Sequence, residues 1–136
     1  MCVGDQARVP EPGGEPEGHL PLTPAMLDIV LALGDEELHG YAIMQEVRRR
    51  TDGRRLLPPG TLYRSLRQMQ ERGLVEESEE RPDPHLDDQR RRYYRLTELG
   101  RRVAVAEVGR LEGLVRAARS KGLVPRMRPS GAAGNG

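Results

Sequence analysis

Apolar residues recur at helical spacing in three short segments in the first half of the chain. The first segment begins with Thr23 and Pro24, a hydroxyl N-cap followed by proline at the first helical position, and runs to Gly34. It is apolar on most sides, which predicts a buried helix. The second segment, residues 39–50, ends in three arginines, which the dipole of a helix C-terminus favours. Its apolar stripe is formed by Ala42, Ile43, Val47 and either Tyr41 or Met44.

The third segment, residues 58–73, is the most informative part of this pattern. It begins with two prolines and a glycine, ends at Gly73, and directs Leu62, Leu66 and Met69 toward the interior. The opposite face has the hydroxyl, amide and guanidinium groups that reach DNA phosphates and base edges. The alternative interpretation is an ordinary amphipathic helix whose polar face is only solvated. The candidate DNA-binding residues of this predicted recognition helix are Gly60, Thr61, Tyr63, Arg64, Arg67 and Gln68.

After Gly73 the apolar residues no longer follow helical spacing, and apolar and polar residues alternate instead. Alternation predicts a hairpin of two short strands, residues 74–78 and 91–96, with Pro82 in the loop between them. The second strand is expected to place Tyr94 and Leu96 on one face, and Tyr93 and Arg95 on the other. Two short helices, a turn, a polar-faced third helix and a hairpin are together typical of a winged helix-turn-helix.

Three consecutive arginines, Arg90, Arg91 and Arg92, stand at the start of the second strand. In a wing, residues at this position meet the DNA backbone or the minor groove, so we take them as candidate DNA contacts. The alternative is that they are charges that protect a solvated sheet edge from aggregation.

A long last helix, residues 97–120, is predicted to begin with Thr97 as its N-cap and Glu98 as a favourable acid in the first turn. Its apolar positions follow the spacing of a coiled-coil seam. Because no core of matching length remains in the chain, we expect this helix to pack on a second copy. The alternative is that it folds back over the helical body. The candidate dimer-interface residues are Ala104, Val108, Leu111, Val115 and Ala118. The apolar face of the helix is broadened by Leu99, Val103 and Leu114.

Length and composition limit the organisation to one mainly α-helical domain, with a small β-hairpin and two tails. Residues 1–21 and 121–136 are rich in Gly and Pro, so both tails are predicted to be disordered, and the second is basic. Residues 22–96 form the predicted winged helix-turn-helix domain, and residues 97–120 the dimerisation helix. The net charge of +1 does not identify a nucleic-acid binder. The positive charge is nearly all arginine, which suits phosphate and guanine contacts, although a coding bias would also produce it.

Other functional classes find little support in the sequence. Cys2 is the single cysteine and the histidines are scattered, so neither a disulfide nor a metal site is predicted. No nucleophile–base pair or phosphate-binding loop appears, so we predict neither an enzyme nor a cofactor. No apolar run has the length of a membrane helix and no signal peptide is recognisable, so a cytoplasmic protein without a membrane partner is expected.

With these elements in order, the chain resembles the PadR family of bacterial transcriptional regulators, in the smaller type that has one C-terminal helix. The resemblance covers roughly residues 22–120, and it depends on the ordered set of motifs because no single motif is specific. The matching motifs are His39-Gly40-Tyr41-Ala42-Ile43-Met44, Pro59-Gly60-Thr61-Leu62-Tyr63, Arg72-Gly73-Leu74-Val75-Glu76, Arg90-Arg91-Arg92-Tyr93-Tyr94-Arg95-Leu96-Thr97 and Gly100-Arg101-Arg102.

The resemblance implies a homodimer formed through the terminal helix that binds palindromic operator DNA, usually as a repressor. It implies that the helix beginning at Gly60 enters the major groove, with Tyr63 near the phosphates and the basic residues before Tyr93 in the wing. Two features depart from the family pattern. Arg64 stands where many members have proline, and the chain lacks the Trp and Phe with which some members sandwich a planar drug at the dimer interface. The sequence identifies neither an operator nor a small-molecule effector.

A protein–protein interaction module without DNA binding is the competing hypothesis, because winged-helix folds also serve as scaffolds. The acidic residues Asp83, Asp87 and Asp88 of the hairpin loop and the near-neutral net charge keep this alternative open. A mobility-shift assay with random duplex DNA at low salt distinguishes the two hypotheses.

Overall fold

The computed structural model describes residues 15–82 and 90–125 of the chain. Within these residues the fold is mainly helical with a small sheet, as predicted, and a short 3-10 helix, Pro16–His19, precedes it. In chain order the elements are α1 (Pro24–Leu33), β1 (Leu38–His39), α2 (Gly40–Arg50), α3 (Pro59–Glu71), β2 (Val75–Pro82), β3 (Arg90–Leu96) and α4 (Glu98–Ser120).

Side-chain caps determine where three of these helices begin. The hydroxyls of Thr23 and Thr97 each accept a hydrogen bond from the backbone N–H three residues later, at 3.1 and 2.9 Å, which confirms both predicted caps. At α2 the cap is His39, whose Nδ1 accepts a backbone N–H at 3.1 Å. Helix α3, the predicted recognition helix, follows Pro58 without a side-chain cap, so its start depends on packing and on the connection that precedes it.

The core lies around α1, against which α2, α3 and the first part of α4 pack. Most apolar residues of α1 are buried, as predicted, and so are the inward residues of α3. In α2, Ile43 and Val47 are fully buried, Met44 is partly buried and Tyr41 is exposed. Met44, and not Tyr41, therefore completes the apolar stripe of α2.

The sheet contains a strand that the sequence did not predict. Its order is β1-β3-β2 and both pairings are antiparallel, with Leu38 opposite Tyr94 and Val75 opposite Leu96. Two residues are too few to show alternation, so β1 left no pattern in the sequence. β2 is longer than predicted and includes Pro82, which β2 tolerates because it is an edge strand.

The position of Tyr93 follows from this extra strand. Alternation predicted that Tyr93 and Arg95 share a face of β3; Tyr93 is buried there, whereas Arg95 is exposed. β1 places His39 beside Tyr93, with the ring centroids 5.4 Å apart in an edge-to-face arrangement. Both tyrosines of β3 are therefore buried, Tyr94 in the main core and Tyr93 beside the β1 histidine.

The segment before α1 differs from the disordered tail predicted for residues 1–21. Pro16–His19 packs against α4, and His19 is buried there. Residues 1–14 of the same tail, and residues 126–136 of the C-terminal one, lie outside the described residues.

A buried carboxylate on α4 explains why this segment is held in place. Glu107 accepts a hydrogen bond from the backbone N–H of Leu22 at 3.2 Å and another from Arg110 at 2.7 Å. The hydrogen bond from Arg110 lowers the pKa of Glu107, so the carboxylate is charged at neutral pH. Because Leu22 and Glu107 are 85 residues apart, local composition could not reveal the contact.

Candidate nucleic-acid interface

The candidate residues of α3 lie on one side of the helix. Positions three and four apart share a face of a helix. The inner face of α3 is formed by Leu62, Ser65, Leu66 and Met69, so the side chains between them point outward. Of the six candidates, Thr61 is partly buried and the other five are exposed: Gly60, Tyr63, Arg64, Arg67 and Gln68. Their assignment to DNA stays a prediction, but their position leaves all six accessible to a large ligand.

Arg64 and Arg67 are the two positively charged candidates on this face of α3. No carboxylate among the described residues forms an ion pair with either guanidinium, and Arg64 donates only a long hydrogen bond, 3.4 Å, to the Thr61 hydroxyl. Arg49 on α2 and Arg92 on β3, by contrast, pair with glutamates. The outward face of α3 therefore offers two guanidinium groups to an anionic partner.

The described wing arginines, Arg91 and Arg92, make different contacts. Arg92 donates to Glu77 on β2 at 3.1 Å, and the Arg91 guanidinium lies over the ring of Tyr41 with 5.4 Å to its centroid. The side chain of Arg90 lies outside the described residues, and so do residues 83–89 at the tip of the predicted wing. A phosphate bound at Arg92 would compete with Glu77 for the guanidinium.

The four tyrosines of the chain gather around the start of α2, which sequence reasoning missed. A Cβ on Gly40 would lie 2.3 Å from the Tyr63 hydroxyl oxygen, so the absence of a side chain there lets this ring lie against α2. On the adjacent strand, burial raises the pKa of Tyr94 to about 12, so that phenol stays neutral. These contacts connect the first turn of α3 to α2 and β3, so they fix the predicted recognition helix relative to the hairpin.

The last helix divides into a buried first part and an exposed second part. Leu99 and Val103, predicted to broaden the apolar face of this helix, belong to the core of the chain. Beyond Glu107 no apolar side chain of α4 is buried, and Leu114 is 55% exposed. Exposed apolar surface is common at sites of interaction with other molecules, so the dimer interface on this helix stays a prediction. Of the candidate seam residues, Ala104, Leu111 and Ala118 are partly buried and Val108 and Val115 are exposed.

The described parts of the chain contain no group of three or more His, Cys, Asp or Glu side chains that could hold a metal ion. No helix in residues 15–82 and 90–125 has the length and apolar character needed to cross a membrane.

The fold matches that of known transcriptional regulators. Residues 29–106 match the model of the transcriptional regulator PadR-like family. A PadR family transcription regulator from Clostridium difficile is similar in structure, with 24% identity, a TM-score of 0.60, and coverage of 71% of this chain and 95% of that one. A transcriptional regulator from Clostridium thermocellum has 20% identity, a TM-score of 0.60, and coverage of 76% and 90%.

The same fold occurs in a protein solved together with DNA. Bacillus subtilis PadR, in complex with operator DNA, has 17% identity to this chain and a TM-score of 0.55, and the match covers 65% of this chain and 48% of that one. At these identities the solved structures show the fold alone. No curated protein matches this chain significantly.

Proposed function

Because the chain belongs to the PadR-like family of transcriptional regulators, we propose that it is a cytoplasmic homodimer that binds a palindromic operator and represses transcription. Members of this family are transcriptional regulators and not enzymes. The solved complex of Bacillus subtilis PadR with operator DNA supports DNA as the partner. Repression is favoured because a dimer seated across a promoter excludes RNA polymerase.

The outward face of α3 is the observation that carries this proposal. It offers hydroxyl, amide and unpaired guanidinium groups from Thr61, Arg64, Arg67 and Gln68 on one accessible side. Arginine binds the O6 and N7 edge of guanine bidentately, and glutamine binds the N6 and N7 edge of adenine. We assign Arg67 and Gln68 to base contacts, Tyr63 and Arg64 to the phosphates, and the wing arginines to the backbone beside the groove.

The exposed part of α4 supports the homodimer. Its apolar side chains continue at seam spacing beyond the last residue that the core covers, and a second copy of the same helix covers such a surface symmetrically. Two recognition helices related by a two-fold axis read two inverted half-sites, one helical turn or about 34 Å apart.

Selection of high-affinity duplexes from a randomised pool tests the proposal. The enriched sequences are expected to contain an inverted repeat, and the affinity for the best duplex is expected to fall steeply with salt. Each phosphate contact contributes roughly −0.9 to the slope of log K against log salt concentration. Three to four arginines per subunit therefore predict a slope of about −5 to −7 for the dimer. No enrichment, or a slope near zero, would reject the proposal and favour an interaction module.

Substitutions should separate the recognition helix from the wing. Arg67→Ala or Gln68→Ala is expected to lose about 1–3 kcal/mol of discrimination between the selected duplex and a scrambled one, if the residue contacts a base. Arg91→Ala should instead weaken binding to both duplexes about equally. Arg116→Ala, an exposed arginine on α4, is the control and should change neither affinity. If Arg67→Ala lowered the affinity for both duplexes equally, Arg67 would contact a phosphate and not a base.

A further inference from the structure

Asp28 is an acidic residue on the otherwise apolar helix α1, and it is only 5% exposed. Its Oδ1 accepts a hydrogen bond from Arg50 Nη2 at 2.8 Å, and its Oδ2 pairs with Arg55 Nε. Arg50 is the last residue of α2, and Arg55 lies in the connection between α2 and α3. One buried carboxylate therefore joins three parts of the helix-turn-helix.

Among the described residues, the other hydrogen bonds of the connection, residues 51–58, are local and run within it or to the adjoining turns of α2 and α3. The Thr51 hydroxyl donates to the Val47 carbonyl at 3.0 Å and accepts from the backbone N–H of Arg55 at 3.0 Å. Asp52 and Gly53 both have positive φ, 54° and 78°, so the chain reverses tightly after α2.

The residues just before α3 are held to the core by an apolar contact at only one of two neighbouring positions. Leu57 is buried in the core, while the neighbouring Leu56 is exposed. Since α3 has no side-chain cap and the other hydrogen bonds of the connection are local, the Asp28–Arg55 ion pair is the polar contact that joins the connection to α1.

We propose that Asp28 is a positioning residue for DNA recognition, which sets the orientation of α3 through Arg50 and Arg55. This inference rests on the proposed DNA-binding function. A buried ion pair contributes little net stability compared with a well-packed apolar contact, but it is directional. Direction matters here because a base contact tolerates a misplacement of only about 0.5 Å, whereas a flexible arginine follows a phosphate over a larger range. Loss of the carboxylate should therefore affect sequence discrimination before it affects general affinity.

The freed arginines make the expected result more specific. The side chains of Arg50 and Arg55 are 35% and 42% exposed, so without their partner they become available to phosphates. Binding to a scrambled duplex should then stay constant or become tighter, while binding to the selected duplex weakens. A variant that was merely less folded would lose affinity for both duplexes in the same proportion.

The test uses the full chain with Asp28→Asn, Arg55→Gln and the double variant, and the affinities for the selected and scrambled duplexes are measured for each. We expect Asp28→Asn to lower the ratio of the two affinities by about tenfold, as for the loss of one base contact. Arg55→Gln should change the ratio in the same direction by less, because Asp28 keeps Arg50. The double variant should be no worse than Asp28→Asn, since both changes break the same contact.

Glu46→Gln is the matched control, because Glu46 forms an ion pair with Arg49 at 2.5 Å within α2. Its affinity ratio should equal that of the unaltered chain. A readout without DNA is amide hydrogen exchange, which should accelerate in residues 51–58 of Asp28→Asn and not of Glu46→Gln.

Three results would overturn the inference: an unchanged affinity ratio in Asp28→Asn, a parallel loss for both duplexes, or failure of both single variants to fold. In the last case Asp28 serves stability alone. If instead the unaltered chain does not distinguish any duplexes, the proposed function fails, and the exchange measurement still decides whether Asp28 holds the connection.

Discussion

A Leu111→Arg variant is expected to sediment as a monomer at concentrations where the unaltered chain is a dimer. Leu111 lies at the centre of the proposed seam, on the part of α4 that the core of the chain leaves uncovered. In a symmetric dimer the substitution would bring two arginines together in a partly desolvated interface, which costs several kcal/mol. Analytical ultracentrifugation checks the oligomeric state, and circular dichroism checks that most of the helix content is retained.

The monomer should bind the selected duplex very weakly. Two recognition helices about 34 Å apart bind two half-sites cooperatively only when they are tethered. Ala117→Arg adds the same charge to an exposed position off the seam and should leave the dimer intact. A Leu111→Arg variant that stays dimeric would move the interface elsewhere. One that unfolds would show that the second half of α4 belongs to the core of the single chain.

A Gly100→Ala variant is expected to lose about 3 kcal/mol or more of the free energy of unfolding, at the upper end for overpacking in a well-packed core. A Cβ at Gly100 would lie 1.9 Å from the backbone carbonyl oxygen of Leu74, and a backbone atom cannot move aside as a flexible side chain can. The same carbonyl accepts the Thr97 N–H at 3.0 Å, so the start of α4 would also be displaced. Chemical denaturation at a fixed protein concentration measures the loss, since a dimer's stability depends on concentration.

Gly109→Ala is the control on the same helix. It is exposed, and nothing lies within 4 Å of its added Cβ. Because alanine is the better helix former, this substitution should stabilise by about 0.5–1 kcal/mol. If Gly100→Ala behaved like Gly109→Ala, the close approach of α4 to Leu74 would be wrong.

The ends of the helices and the overall fold could be predicted, because they depend on residues that are close together in the sequence. Thr23 and Thr97 cap the backbone only three positions later, so the sequence displays both partners of each cap. Leu62, Leu66 and Met69 mark the inner face of α3 by spacing alone, and the outward position of Arg67 follows from the same periodicity. The assignment of individual outward residues to DNA stays a prediction. Such contacts depend on how the DNA is bound, and helical periodicity does not show that.

The remaining features depend on residues that only the tertiary structure brings together. Asp28 and Arg55 are 27 residues apart, and Leu22 and Glu107 are 85 apart, so no local pattern relates them. β1 pairs with the free edge of β3 and places His39 beside Tyr93, so the burial of Tyr93 depends on a strand that no local pattern predicted. The sequence by itself thus determined the helices, their apolar faces and the wing, because periodicity and caps are local. Only the tertiary structure decided how α3 is anchored and how much of α4 is left uncovered, because both follow from packing between distant segments.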